Sequence, residues 1–113
     1  MPSIHFKKAI KATEHKDFVK PEVVKFMDVS TAHITKTDAE KLDSSNNAAC
    51  GELSFDRFEY GYYVYIPDQS TTDRLPMSSA FKTLMHYARE SGFRAVKLDC
   101  DATNYPQLAS FTW

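Results

Sequence analysis

The chain has 113 residues, a length that suits one domain with its own hydrophobic core. Hydrophobic residues make up 42% of it and charged residues 26%, which are ordinary globular values and disfavour disorder outside the ends. The formal net charge of −1 disfavours the strongly basic proteins that neutralise many nucleic-acid phosphates.

Cysteine usage and hydropathy indicate the cellular setting. Cys50 and Cys100 stand far apart with no C-x-x-C pairing, which fits neither a disulfide framework nor a zinc site. The first residues lack the apolar stretch of a secretory signal, and no apolar run has the length of a membrane span. We therefore expect a cytoplasmic protein with no membrane segment.

The first 21 residues form a lysine-rich extension, separate from a single domain over residues 22–113. The periodicity around residues 4–13 fits either a strand or a short helix, and we favour the helix. After Pro21, an apolar and β-branched run over residues 23–29 predicts the first strand.

The next elements follow from one capping motif and a run of tyrosines. Thr37 and Glu40 are spaced as a capping box, which predicts a helix that ends near Ser44. Leu53 and Phe55 indicate a second strand, and we place the turn that follows it near residues 56–57. Residues 58–66 contain four of the six tyrosines and predict a third strand that ends at Pro67.

The last helix and strand have the clearest patterns. Pro76 suits a first helical turn, and Met77, Phe81, Leu84 and Ala88 recur on one face before Gly92 ends the helix. Residues 95–100 alternate between apolar and charged side chains, which predicts a fourth strand. The order is that of an α+β, ferredoxin-like split β-α-β-β-α-β domain, in which two helices cover one face of an antiparallel sheet.

The other face of this sheet is the candidate binding surface. Alternation along the third strand directs Tyr63 and Tyr65 outward with Glu59, and it directs Phe58, Tyr60, Tyr62, Val64 and Ile66 toward the helices. Lys97, Asp99 and Asp101 of the fourth strand join the outward set. An acidic, tyrosine-bearing surface is typical of a protein interface, so we predict that Glu59, Tyr63, Tyr65, Asp99 and Asp101 bind a basic site on a protein partner.

This surface also has other interpretations, in which its tyrosines are structural or the face is covered. Tyrosines also favour half-buried sheets in general, and Phe111 and Trp113 could fold over them. The N-terminal segment could cover the face, and an open face or edge also permits a homodimer.

The same topology raises RNA binding as an alternative. The RNA-recognition motif carries an aromatic octapeptide on its third strand, which Tyr60, Gly61, Tyr62 and Tyr65 match in part. That function requires Tyr60 and Tyr62 to be exposed, and the acidic neighbours disfavour it.

Residues with catalytic or metal-binding chemistry give only weak patterns. His33 with Ser30 or Thr31 is the outline of a small hydrolase, and Cys50 with His33 that of a thiol hydrolase. Asp99 and Asp101 share a strand face and could hold a hard cation, but the four histidines show no ligand spacing. We therefore predict no catalytic residue, no metal and no cofactor, and keep a hydrolase centred on His33 as the alternative.

Several short blocks resemble a known family. Residues 30–35 (Ser-Thr-Ala-His-Ile-Thr), Asp38-Ala39, and residues 98–102 (Leu-Asp-Cys-Asp-Ala) with an aromatic ending are similar to small uncharacterised bacterial proteins associated with plasmids and integrated mobile elements. The resemblance covers residues 24–113 and implies no activity of its own. By analogy of context it implies an accessory protein that inhibits a host defence protein by occluding a basic site.

Overall fold

A computed structural model describes residues 19–113 of the chain. Four strands form one sheet: β1 (Phe26–Ser30), β2 (Phe55–Phe58), β3 (Gly61–Tyr65) and β4 (Ala95–Asp99). Three α-helices accompany them: α1 (Lys36–Asp43), α2 (Gln69–Arg74) and α3 (Ser79–Glu90). Short 3-10 helices follow β1 (Thr31–His33) and precede β2 (Asn47–Cys50). The α+β class is confirmed, whereas the helix predicted within the N-terminal extension lies outside the described residues.

The strand order in the sheet is β1-β4-β3-β2. β4 pairs with β1 in parallel and with β3 antiparallel, and β2 pairs with β3 antiparallel. The prediction of an antiparallel sheet is therefore wrong at β1, and the ferredoxin-like order is not confirmed. Local periodicity identifies strands but carries no information on which distant strand each one pairs with.

The two helices predicted after residue 22 are present, but their caps differ from the predicted ones. Two overlapping sequences fit a capping box before α1, and the structure uses Thr35 with Asp38 instead of Thr37 with Glu40. Asp38 is 1% exposed, and its carboxylate also accepts hydrogen bonds from the backbone N–H (2.9 Å) and hydroxyl (2.5 Å) of Ser78, the N-cap of α3. One buried carboxylate therefore joins the N-termini of two helices, which explains the choice of cap.

Of the other two helices, the sequence predicts α3 but not α2. α3 buries Phe81, Leu84 and Ala88 as predicted, and Gly92 follows it with a positive φ of 87°. Helix α2 was not predicted, because it is short and its sequence is polar. Asp68 caps it by accepting a hydrogen bond from Thr71 N–H (2.8 Å), which lowers the pKa of the Asp68 carboxyl.

The strand bounds differ from the predicted ones, most clearly at the start of β1 and at the turn after β2. β1 starts at Phe26, where pairing with β4 begins, and Val23 and Val24 before it are 87% and 54% exposed. β2 continues through Phe58, which pairs with Gly61, so the turn is formed by residues 59–60 and not by residues 56–57. Phe58 therefore belongs to β2 rather than to the third strand, and the alternation restarts after the turn.

The core lies between the sheet and the helices. Met27, Val29, Val64, Val96 and Leu98 line the sheet on this side, and all are buried. They join the buried helix residues Leu42, Phe81, Leu84 and Met85 in one cluster. No helix within residues 19–113 is long and apolar enough to cross a membrane.

The C-terminal segment, residues 103–113, runs beside β1 and the 3-10 helix after it. Ser30 N–H donates to Thr103 O (3.0 Å), and Tyr105 Oη donates to Asp28 O (2.9 Å). Farther along, Phe111 N–H donates to Ala32 O (2.7 Å) and Trp113 Nε1 to Ile34 O (3.0 Å). This segment therefore covers the outer edge of β1.

Candidate functional site

Four aromatic side chains lie on the sheet face opposite the helices, and we call them the aromatic face: Phe26, Phe58, Tyr63 and Tyr65. Tyr63 is their centre, with its ring centroid 4.9 Å from that of Phe58 and 6.2 Å from that of Phe26. Phe26 is 53% exposed and Tyr65 50% exposed. Large apolar side chains exposed together in this way are typical of an interaction site.

One lysine lies among these rings. Lys97 Nζ is 5.6 Å from the centroid of Phe58 and 5.9 Å from that of Tyr63, within cation–π range of both. Its Nζ is also 3.8 Å from Asp99 Oδ2. The lysine charge is thus compensated by the face itself.

Carboxylates surround the aromatic face. Asp28 and Asp56, both exposed, lie on this face of β1 and β2, opposite Lys97 and Tyr63 in register. Asp56 Oδ2 accepts a hydrogen bond from Tyr65 Oη (3.2 Å), and this bond raises the pKa of the tyrosine. The surface therefore has an aromatic centre and an acidic rim, with Lys97 alone providing a positive charge among the strand residues of this face.

The five predicted binding residues occupy different parts of this surface. Tyr63 is half-buried at its centre and Tyr65 is exposed. Glu59 and Asp101 are exposed in the turns after β2 and β4, at the same end of the sheet. The Asp99 side chain is only 17% exposed, because it accepts a hydrogen bond from Asp101 N–H (2.9 Å) and lies beside Lys97. These contacts hold the turn after β4 and leave little of the Asp99 carboxylate exposed.

The predicted facing of the third-strand residues is correct for Tyr62 and Val64, which are buried. It is wrong for Phe58, which lies on the aromatic face, and for Tyr60, which is 52% exposed in the turn. Sequence reasoning also missed Phe26 as a surface residue, although the polar Asp28 two positions later indicated that this side of β1 faces outward.

The arrangement departs from that of an RNA-recognition motif. Tyr62 is 8% exposed, and its hydroxyl donates to Asp43 Oδ1 (2.7 Å) on the helix side of the sheet. Burial and this hydrogen bond raise the Tyr62 pKa well above its usual range. Tyr62 therefore cannot stack on a base in the way the motif requires.

His33 holds the C-terminal segment in place. It is 2% exposed, its Nδ1 lies 2.6 Å from Ala109 O, and its Nε2 lies 2.8 Å from Tyr105 N. A carbonyl only accepts and a backbone N–H only donates, so Nδ1 carries the proton of a neutral ring. Because both nitrogens are engaged with backbone groups, neither is free to take a proton from a hydroxyl group.

His33 lines one pocket, which contains hydroxyl residues but not Cys50. It has a volume of about 250 Å³, and Ser79 and Thr83 are its hydroxyl residues besides apolar lining. Cys50 is 1% exposed, and burial raises the pKa of its thiol, which is the opposite of what a nucleophile needs.

One group of side chains within residues 19–113 has metal-ligand atoms close together. The ligand atoms of Asp99, Cys100 and Asp101 lie within 4.8 Å of one another. Asp99 already accepts the Asp101 N–H, as in an ordinary aspartate turn. The absence of a metal remains a prediction.

Comparisons with curated proteins and with solved structures give no match. A family model does match: the C-terminal domain of a family of unknown function, DUF5983, over residues 26–113. The matched segment starts at the first residue of β1 and includes every strand and helix described above. It agrees with the resemblance to an uncharacterised family. The chain therefore belongs to the DUF5983 family of unknown function.

Proposed function

We propose that this protein is a non-enzymatic protein-binding module that uses the aromatic face and its acidic rim to bind a basic surface of a partner protein. The observation that supports it most is the exposed cluster around Tyr63, in which Phe26 and Tyr65 each expose about half of their surface. Protein interfaces combine an aromatic centre with a polar rim, and tyrosine is enriched among the residues that dominate binding energy.

The charges favour a basic partner. Asp28, Asp56, Glu59 and Asp101 are exposed around the face, while the Lys97 ammonium lies over two rings and beside Asp99. Such a rim accelerates encounter with a positive surface and repels phosphate-bearing partners. Binding of this kind would occlude the partner's basic site. The resemblance to mobile-element proteins extends the proposal: the partner would be a host defence protein that the module inhibits.

The test is capture of host proteins from lysate by the tagged chain, with and without nuclease. The proposal expects a protein retained in stoichiometric amount despite nuclease, and lost in the Tyr65→Ser or Glu59→Lys variant. The matched controls are Tyr87→Ser and Glu90→Lys, which change the same residue types at exposed positions of α3.

The expected size of these effects follows from interface energetics. Loss of an anchoring tyrosine weakens such complexes by about 1–2 kcal/mol, which is roughly a tenfold loss of affinity. The affinity of the control variants should stay within about twofold of that of the natural chain. Capture that nuclease abolishes would favour nucleic-acid binding instead. Equal capture by all four variants would contradict a role for the aromatic face.

A further inference from the structure

The two edges of the sheet differ in how they are covered. At β1, the C-terminal segment engages the outward carbonyl of Asp28 and the outward N–H of Ser30, as described above. At the other end of the sheet, β2 has β3 on one side and no strand on its other side within the described chain. An open edge exposes backbone donors and acceptors that can pair with another strand.

The register identifies which backbone groups of β2 point outward. Tyr65 N–H donates to Ser54 O (3.0 Å), so Ser54 and Tyr65 form a hydrogen-bonded pair. Because such pairs alternate along an antiparallel ladder, Asp56 and Phe58 also direct their backbone groups at β3, and Phe55 and Arg57 direct theirs away. Among residues 19–113, no hydrogen bond engages the backbone N–H or C=O of Phe55 or Arg57. Two donors and two acceptors are therefore available.

A groove runs along this edge. Its volume is about 560 Å³, and it is lined by residues 51–57 with Ser44 and Tyr65. Asp56 lies at the middle of the strand on the aromatic side, where its carboxylate is exposed and held by Tyr65 Oη. The edge therefore offers backbone hydrogen bonds together with one fixed negative charge.

The Asp56 carboxylate discriminates between two possible occupants of this edge, a second copy of the chain and a strand of a different protein. If β2 of a second copy paired antiparallel with the most hydrogen bonds, Phe55 would lie opposite Arg57 of the other copy. Asp56 would then face its own equivalent in the other copy, and like charges directly opposite each other destabilise a strand pair. A strand with lysine or arginine at the central position would instead form an opposite-charge pair.

We propose that the open edge of β2 binds an extended segment of a partner protein, which adds a strand to the sheet and places a lysine or arginine opposite Asp56. Backbone hydrogen bonds to Phe55 and Arg57 provide the pairing, and Asp56 selects the side chain. Peptide recognition by strand addition works in this way in other protein classes. The inference rests on the proposed function in that the strand belongs to the basic partner of the aromatic face, which Asp56 adjoins.

The experiment titrates two capped synthetic peptides, Thr-Val-Lys-Val-Thr and Thr-Val-Glu-Val-Thr, into the full-length, isotope-labelled chain, and follows its backbone amides by NMR. We expect the lysine peptide to shift the amide signals of Phe55 and Arg57 and to bind roughly fivefold more tightly than the glutamate peptide. In the Asp56→Lys variant this preference should reverse.

A proline substitution tests the backbone contact itself. Arg57→Pro removes an N–H that the sheet does not use and should weaken the lysine peptide roughly five- to tenfold. Arg57→Ala is the matched control, because both variants lose the guanidinium bonds to Leu42 O and Asp43 O while only proline loses the N–H. The alanine variant should bind like the natural chain.

Three results would overturn the proposal: no shift with either peptide, equal affinities for both, or a dimer in sedimentation that Arg57→Pro dissociates. Its failure is distinguishable from failure of the proposed function. If neither peptide binds but capture of the partner still depends on Tyr65, only the proposal of an added strand is refuted. Peptide binding that survives Phe26→Ser, on the far edge of the aromatic face, would support the strand whatever capture shows.

Discussion

Replacement of Asp38 by alanine should destabilise the domain more than any other single change of an acidic residue in α1. The carboxylate accepts hydrogen bonds from Thr35 N–H (3.0 Å), Ser78 N–H (2.9 Å) and Ser78 Oγ (2.5 Å), and it is 1% exposed. It also lies near the positive ends of two helix dipoles, α1 and α3.

The magnitude follows from these three bonds. A hydrogen bond to a charged group contributes about 1.5–3 kcal/mol, so a simple sum gives about 4.5–9 kcal/mol. Thr35 and Ser78 are only half-buried, so water can hydrogen-bond to some of the donors that lose the Asp38 carboxylate, which reduces the cost. We therefore expect about 3–4 kcal/mol, a large fraction of the roughly 5–14 kcal/mol available to a domain of this size.

The assay is equilibrium unfolding in urea, followed by circular dichroism at neutral pH. Asp38→Asn keeps the shape but replaces one acceptor oxygen with a donor, so its free energy of unfolding should lie between those of the natural chain and the alanine variant. Glu40→Ala, an exposed position on the same helix, should change stability by less than about 0.5 kcal/mol. If Asp38→Ala costs no more than Glu40→Ala, the helix-joining role of the carboxylate is refuted.

Three further outcomes are expected. Because the pKa of Tyr62 is raised in the folded protein, its contribution to stability is present below about pH 10 and is lost as the pH rises further. The urea midpoint should therefore decline less steeply above about pH 10 in the Tyr62→Phe variant than in the natural chain, and parallel declines would contradict this. Gly61→Ala should prevent folding or cost several kcal/mol of stability, because the added Cβ would lie 1.8 Å from a β4 carbonyl oxygen. The Cβ of Gly92→Ala would meet no atom, so that variant should lose only about 1 kcal/mol, and thermal denaturation measures both changes. A thiol reagent should label exposed Cys100 in the folded protein and spare buried Cys50 until denaturant is added, as mass spectrometry of the labelled peptides would reveal.

The sequence predicted best those elements whose pattern reports burial directly. In β4, Val96 and Leu98 alternate with Lys97 and Asp99, and the two apolar residues are fully buried. In α3, the spacing of its apolar residues identified the core-facing side, because that spacing repeats with the helical turn.

Other features depend on information that a local pattern lacks. The two central residues of the turn, Glu59 and Tyr60, are not glycine, asparagine or proline, so the sequence predicts the turn near residues 56–57 instead and assigns Phe58 to the third strand and to the wrong face. The parallel partner of β1 lies near the other end of the chain, beyond any local signal. The open edge of β2 could be located only once the strand order was known.

The competition between two capping boxes shows a third limit. Thr35 with Asp38 and Thr37 with Glu40 fit the same motif, and nothing within α1 separates them. The deciding contact comes from Ser78, forty positions later, which hydrogen-bonds to Asp38. Tertiary contacts thus select among local signals that are equal in the sequence.

The parallel pairing of β1 with β4 bears on how the chain folds as it is synthesised. Phe26 pairs with Ala95, so β1 leaves the ribosome long before its partner strand exists. The β2–β3 hairpin pairs locally and can form first. Met27 and Val29 gain their β4 neighbours only after that strand is synthesised, and the C-terminal segment that covers the outside of β1 is synthesised later than β4. We therefore expect β1 to be the strand on which a growing chain is most exposed to chaperones and to wrong partners.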